Sequence, residues 1–431
     1  MYIMGSVTVV PTMGMIADQV GRRPVACIAV GILLVVGLWT CFASDLILFV
    51  CARCAVSGCT GTIFVTIFTV LFEVTSTEYR TLYCIIAITA GILISSVIIN
   101  VLAQFEMDWR LAQVIFMALT SLLVSTFYTI EESPRWLLSC CKFSRAEEVM
   151  LWAAKLNGES LENVRMKFNK VKCSMLLKDG TSSPLGVTPI YLFSCPVLRN
   201  RCDNILIFWF VVMLTFYGYD TSNILEEELV WTRVVITVFA GPLGAVSYYC
   251  MAQIGRKITL TLALGIVGVA TAVLIFIYPN DLIVLANIVL LTARGATIIA
   301  VSVNYVYTAE LFPTVLRTIG LSMAYACGQL GALVATVLSS KPNAVPGPIG
   351  VTVLAVSVLF AHLAILRLPE TNSRPITNTL RELEASPEAT SSVQFPVNVV
   401  SIALNETHGP TSNSGLEATE KRSAEDLSPA S

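Results

Sequence analysis

Apolar residues run along this chain in blocks of about 18 to 25 positions, broken by short stretches of charged and turn-forming residues. A helix needs roughly 20 mostly apolar residues to cross about 30 Å of hydrocarbon, so each block predicts a membrane-spanning helix. Eleven such spans follow: Tyr2–Ala17, Val25–Ala43, Leu46–Phe72, Leu82–Ala103, Leu111–Ile130, Asn204–Tyr219, Leu229–Met251, Ile258–Tyr278, Leu282–Tyr305, Ile319–Leu338 and Gly347–Leu366. Two segments break the pattern. Residues 131–203 divide the spans into five and six and read as short amphipathic helices. Ser133-Pro134 is expected as an N-cap with proline behind it, and Ser144-Arg-Ala-Glu147 as a capping box opening a helix that Gly158 stops. From about Pro369 the chain is rich in Ser, Thr, Asn, Pro and Glu and cannot bury a core, which predicts a disordered tail.

Composition agrees with a membrane protein: mean hydropathy is +0.75 over 431 residues, far above a soluble globular chain. Charge then orients the spans, because cytoplasmic loops retain Lys and Arg. Of 27 Lys and Arg residues, 22 fall on the side of the "GRRP" turn, in its loops and in the tail. The opposite loops carry Asp45, Glu106, Asp108, Asp220, Glu226, Glu227, Glu228 and Asp281. The N-terminus is therefore expected outside and the C-terminus in the cytoplasm. The thirteen cysteines lie almost all in apolar spans or the long cytoplasmic loop, where thiols stay reduced, so no disulfide framework is expected. The sequon at Asn405 falls on the cytoplasmic side and should stay unmodified.

An internal repeat is the most informative feature. "ADQVGRRP" at Ala17–Pro24 recurs as "AQIGRK" at Ala252–Lys257, with Gly21 and Gly255 234 positions apart. Glu73 and Arg80 frame an E-x6-R element that recurs at Glu310 and Arg317, 237 positions on. Two features in one order at nearly one offset indicate a duplicated bundle.

These motifs carry a resemblance. "GMIADQVGRRP" resembles the signature turn between helices two and three of the major facilitator superfamily, where charges join a network that opens and closes the cytoplasmic gate. "EESPRWLL" at Glu131–Leu138 is similar to the element after helix six, with Glu131 in place of the usual proline. "YTAELFPTVLRTIG" at Tyr307–Gly320, "LPETNSRPITNTLREL" at Leu368–Leu383 and "IFWFVVMLTFYG" at Ile207–Gly218 resemble the organic cation, organic anion and carnitine transporter branch. The resemblance covers residues 2–383. It implies an all-α membrane protein of major facilitator fold, two pseudo-symmetric helix bundles with eleven of an expected twelve helices. On that plan Tyr2–Ala17 corresponds to helix two, and helix one with the large loop after it is absent, from a partial gene model or a truncated product. The implied organisation is an N-terminal bundle at 1–130, a cytoplasmic loop at 131–203, a C-terminal six-helix bundle at 204–368 and a tail at 369–431.

Charges at membrane borders are costly and mark functional positions. Asp18, Arg22, Arg23, Glu73, Arg80, Glu310 and Arg317 are expected to form the gate network, ordinary positive-inside anchoring being the alternative. Arg53 and Arg294, inside their spans, are expected to reach outward to headgroups. Trp209, Phe216, Tyr217, Tyr248, Tyr249 and Tyr305 are candidate walls of a substrate cavity, though aromatics at helical spacing are often simple packing. Gly58 and Gly61 suggest close helix packing. In the resembled branch, cation carriers place an acid twelve residues after the second E-x6-R arginine, and anion and carnitine carriers an arginine. Gln329 stands there, and Ala240-Gly241-Pro242 lacks the acid that cation carriers hold in helix eight. A preference for neutral or zwitterionic organic solutes follows, with Gln329 as a cavity residue.

The function these readings imply is transport of small organic solutes by alternating access, in the plasma membrane, with substrate and lipid bilayer as partners and no nucleic acid. A sugar porter is the neighbouring alternative; its Q-Q-x-x-G and P-G-P-x-P runs are missing, and Val303-Asn-Tyr-Val-Tyr stands in place of the second. A truncated, non-transporting product is the other. An enzyme is not indicated: there are two histidines, His362 and His408, no phosphate-binding glycine loop and no metal-ligand spacing, so neither cofactor nor metal is expected.

Overall fold

The computed structural model describes residues 2–105, 107–178, 192–193, 196–221, 229–277, 283–339 and 347–372. The expected disordered tail from Pro369 begins instead with residues held in the fold, Glu370 on Arg256 N and Thr371 on Glu310, while its remainder beyond Asn372, the Asn405 sequon, His408 and the loop residues Glu106, Glu226, Glu227, Glu228, Asp281 and Lys341 lie outside the described residues.

The described chain is helical. Its helices are α1 Tyr2–Val20, α2 Arg22–Trp39, α3 Leu46–Val74, α4 Arg80–Ala103, α5 Trp109–Thr120 running on through a 3-10 turn into α6 Thr126–Thr129, α7 Pro134–Ser139, α8 Phe143–Asn157 and α9 Leu161–Lys178. Then come α10 Pro196–Thr221, α11 Leu229–Gln253, α12 Arg256–Ile277, α13 Ile283–Leu311, α14 Arg317–Ser339 and α15 Gly347–Leu366. Among the described residues, nine spans are long and apolar enough to cross a membrane. The helices α11 and α15 coincide with the other two blocks of the sequence. Pro11 and Pro242 sit inside α1 and α11, which is tolerated where neighbouring helices re-satisfy the freed carbonyls.

Packing places α3 at the centre and α5 at the rim: most of α3 is buried, while α5 and its continuation are mostly exposed or half-buried. α1 lies between α3 and α14, α10 packs on α14 and α15, and α4 packs on α11. Gly58 and Gly61 let α1 approach α3, because a Cβ there would stand 2.7 Å from Val9 and 2.6 Å from Val10. Outward-facing side chains such as Ile28, Val35, Ile86, Leu262 and Leu359 are exposed and apolar, as a lipid-facing surface requires.

The segment after α6 folds as its own small core, with Trp136, Leu137, Ala146, Val149 and Phe168 packed together. Ser133 caps α7 as its sequence indicates, its Oγ accepting from Trp136 N at 3.3 Å. Gly158 ends α8 in the left-handed region at φ 72°. The capping box does not form. α8 opens at Phe143, one residue before Ser144, because the chain leaving α7 folds back with Lys142 N–H bonded to Leu137 O and α8 starts directly from that turn. Glu147 instead accepts from Arg165 of α9 at 3.0 Å.

Candidate functional site

α1 turns into α2 through Gly21 at φ 135°, and α11 turns into α12 through Gly255 at φ 94°, backbone conformations that strain any side chain. Each turn exposes the first N–H groups of a helix, which have no helical acceptor. In both, a glutamate from far along the chain supplies one. Glu132 accepts from Arg22 N at 3.1 Å, Arg23 N at 3.2 Å and Ser133 N at 3.2 Å. Glu370 accepts from Arg256 N and Lys257 N, each at 3.0 Å. The helix macrodipole favours a carboxylate there. Burial still pushes the Glu132 carboxyl above its ordinary value, opposed by Arg22 and the N–H donors.

The E-x6-R spacing also has a local cause. Arg80 Nε donates to Phe72 O and Arg317 Nε to Ala309 O, both at 2.9 Å and both eight residues back. Each arginine thus closes an orphan carbonyl at the end of the preceding long helix, α3 or α13.

The acids of the repeat reach farther. Glu73 Oε1 accepts from Arg317 Nη1 at 2.7 Å and Arg22 Nη2 at 3.4 Å, joining α3 to α14. Arg22 pairs with Asp18 at 2.9 Å and donates to Thr314 O at 2.8 Å and Thr318 Oγ1 at 3.2 Å. Asp18 Oδ2 accepts from Ile319 N at 2.9 Å, capping α14 from α1. Trp136 covers this cluster, its ring 5.2 Å from the Arg22 guanidinium and its Nε1 donating to Asp18 O at 2.9 Å. These four charged side chains are essentially unexposed, and removing one partner from such a buried set costs about 3–5 kcal/mol.

A second cluster lies beside it. Glu310 accepts from Arg256 Nη2 at 3.0 Å and from Thr371 Oγ1 at 2.5 Å. Arg256 also donates to Asn372 Oδ1 and, at 3.2 Å, to Thr81 Oγ1 of α4.

The structure therefore joins Asp18, Arg22, Glu73 and Arg317. Arg23 stands outside, partly exposed, on Glu131 at 3.0 Å and Phe127 O at 3.0 Å. Arg80 makes no ion pair among the described residues, its guanidinium being turned to backbone carbonyls. Glu310 pairs with Arg256 of the second glycine turn, which lay outside the expected network. Glu132 and Glu370 were also missed, although the glutamate before Ser133 and the one before Thr371 repeat at nearly the same offset as the other elements.

Of the cavity candidates, Trp209 and Tyr305 are buried and edge-on with centroids 4.6 Å apart. Phe64 and Phe68 of α3 join Tyr305 at 5.1 and 5.6 Å, and Tyr325 of α14 stands 6.4 Å from Trp209, so the cluster draws on residues the sequence did not single out. Trp209 Nε1 donates to Thr308 Oγ1 at 2.9 Å. Phe216 and Tyr217 pack on each other at 5.3 Å, half-buried like Tyr248 and Gln329, whereas Tyr249 faces outward. An open surface depression of about 420 Å³ lies elsewhere, along Thr352, Val356 and Phe360 of α15. Arg53 bonds Gln113 of α5 at 3.1 Å and lies over Tyr2 at 5.0 Å. Arg294 is buried within α13.

Residues 1–382 match the family model described as sugar (and other) transporter. The chain belongs to that family. This transporter is 28% identical over 409 residues to solute carrier family 22 member 13 of Homo sapiens, covering 94% of this chain and 70% of that one. It is 26% identical over 388 residues to organic anion transporter 3 of Oryctolagus cuniculus, covering 86% and 68%. Its fold matches the major facilitator proton:xylose symporter XylE bound to 6-bromo-6-deoxy-D-glucose, with TM-score 0.71 and 18% identity over 89% of this chain and 87% of that one. The relatives come from the branch that "YTAELFPTVLRTIG" and "IFWFVVMLTFYG" resemble. The protein is a multi-pass membrane transporter of small organic solutes.

Proposed function

We propose that the transporter works by alternating access and that the charge cluster is its cytoplasmic gate, closed in the conformation described. The observation that carries this is the buried Glu73–Arg317 pair at 2.7 Å, which with the Asp18–Ile319 N and Arg22–Thr314 O bonds ties α1, α2 and α3 to α14 and the turn before it. Opening that end exchanges these contacts for water, a two-state step that substrate can bias only by differential affinity. The halves divide at residues 131–203, with bundles at 1–130 and 204–368, a tail at 369–431, eleven spans in all and pseudo-two-fold repetition. Support comes from the matched turns at Gly21 and Gly255 and the matched caps by Glu132 and Glu370. Lys and Arg on the gate side put that end and the C-terminus in the cytoplasm, with the plasma membrane as the site.

The substrates are organic solutes held against the aromatic cluster of Phe64, Phe68, Trp209, Tyr305 and Tyr325, with Phe216, Tyr217 and Tyr248 nearer the rim. The names of the relatives point to organic ions; Gln329, with neither acid nor arginine in its place, favours neutral or zwitterionic ones. In vesicles carrying the reconstituted chain, Asp18→Ala or Arg22→Ala should insert normally and slow uptake of a radiolabelled organic solute about tenfold or more, since each leaves buried charge unpaired. Undiminished uptake at equal protein would remove the gate reading.

A further inference from the structure

One charge at the gate has no partner. Arg135 of α7 is 7% exposed, makes no hydrogen bond or ion pair among the described residues, and buries its Nε unsatisfied. A guanidinium in that state is costly, so a structure that keeps one has a use for it. α7 packs on α3 and on the turn Thr314–Leu316 before α14. The charges around Arg135 include Arg317 and Arg80, which repel it, and Glu73, which attracts it; burial and Arg317 together bring its pKa down to about 10. Glu73 has a matching deficit. Its Oε1 serves both Arg317 and Arg22, while its Oε2 is buried with no partner.

Resting on the gate reading above, we infer that Arg135 is the partner Glu73 takes when Arg317 withdraws with α14. The carboxylate exchanges one guanidinium for another, so that neither the closed nor the open gate leaves it bare. Arg135 is in that sense a positioning residue of the transport cycle. Its removal acts on both states in one direction. The closed gate loses an unpaired buried cation and its repulsion from Arg317, while the open gate loses the ion pair on Glu73. The population shifts toward closed.

Hydrogen exchange read by mass spectrometry on the full chain in lipid nanodiscs tests this, using peptides spanning residues 309–320. Arg135→Gln should slow exchange there at least about threefold, a modest shift in a two-state equilibrium. Arg135→Lys should restore most of the rate, which loss of packing alone would not allow. With Glu73→Gln already present, adding Arg135→Gln should slow exchange less, because the relief of the closed gate remains but there is no open-gate ion pair left to lose. Faster exchange in Arg135→Gln, or equal slowing with and without Glu73, overturns the inference. Arg317→Gln is the control: if it fails to speed exchange, the gate reading itself fails, whereas if it speeds exchange and Arg135→Gln leaves the rate unchanged, only the exchange of partners is wrong.

Discussion

Glu132 does at the start of α2 what Glu370 does at the start of α12, and in each case the acceptor comes from the segment just beyond a bundle of helices. Three N–H donors converge on Glu132, at 3.1 to 3.2 Å. Each bond to a charged group contributes about 1.5–3 kcal/mol, so Glu132→Ala should lower stability by a few kcal/mol, read as an earlier thermal unfolding midpoint in detergent. An unchanged midpoint would mean that water replaces the carboxylate freely. The same residue gives a pH signature. Its carboxyl is raised in the fold by burial, so it holds a proton more tightly folded than unfolded. The proton-linked part of its contribution is therefore fully present below the unfolded pKa and lost as pH rises through the folded one, while the N–H bonds to the carboxylate persist. Acidification from neutral pH toward the ordinary carboxylate range should stabilise the wild type more than Glu132→Gln, and parallel curves would refute this. The two glutamates were readable in principle, since both precede Ser or Thr after the last helix of a repeat. What hid them is that a capping acid lies over a hundred positions from the helix it caps.

At the scale of elements, the repeated E-x6-R spacing was visible in the sequence but its pairing was not. Arginine at that spacing reaches the carbonyl eight residues back in both copies, a local geometry that period and spacing encode. Which acid meets which base depends instead on how α3, α13 and α14 come together. There the copies part: Glu73 crosses to Arg317, while Glu310 stays with Arg256 and leaves Arg80 on backbone. A double-mutant cycle separates these cases. Glu73→Gln and Arg317→Gln should be strongly non-additive in unfolding free energy, by about 0.5–3 kcal/mol as for residues sharing a network. Glu310→Gln and Arg80→Gln should come close to additive. The failed capping box has a similar origin, because Ser144 and Glu147 satisfy a local rule that the turn from α7 overrides by starting α8 at Phe143.

For the whole molecule, the apolar blocks predicted the helices well, since membrane thickness fixes their length and few residues within them could end a helix. The proposed substrate path was less legible. Trp209 and Tyr305 were foreseeable as aromatics, but Phe64, Phe68 and Tyr325 join them only because α3, α10, α13 and α14 meet at the centre. The proposed path is built from ring faces, and Gln329, where the resemblance implies an acid in cation carriers and an arginine in anion and carnitine carriers, is half-buried. Moving an ion from water into such surroundings without a counter-charge costs several kcal/mol, whereas an uncharged or internally neutralised solute avoids that cost and can still accept a hydrogen bond from the carboxamide. Uptake competed by a panel of cationic, anionic, zwitterionic and uncharged aromatic compounds should therefore rank the last two first. Gln329→Ala should weaken their half-inhibition by about three- to tenfold, the loss of roughly one hydrogen bond. Replacing the same residue by arginine should move the preference toward anions, because it supplies the missing counter-charge. If a permanent cation competes best and is indifferent to both substitutions, charge selection in this transporter lies elsewhere than Gln329.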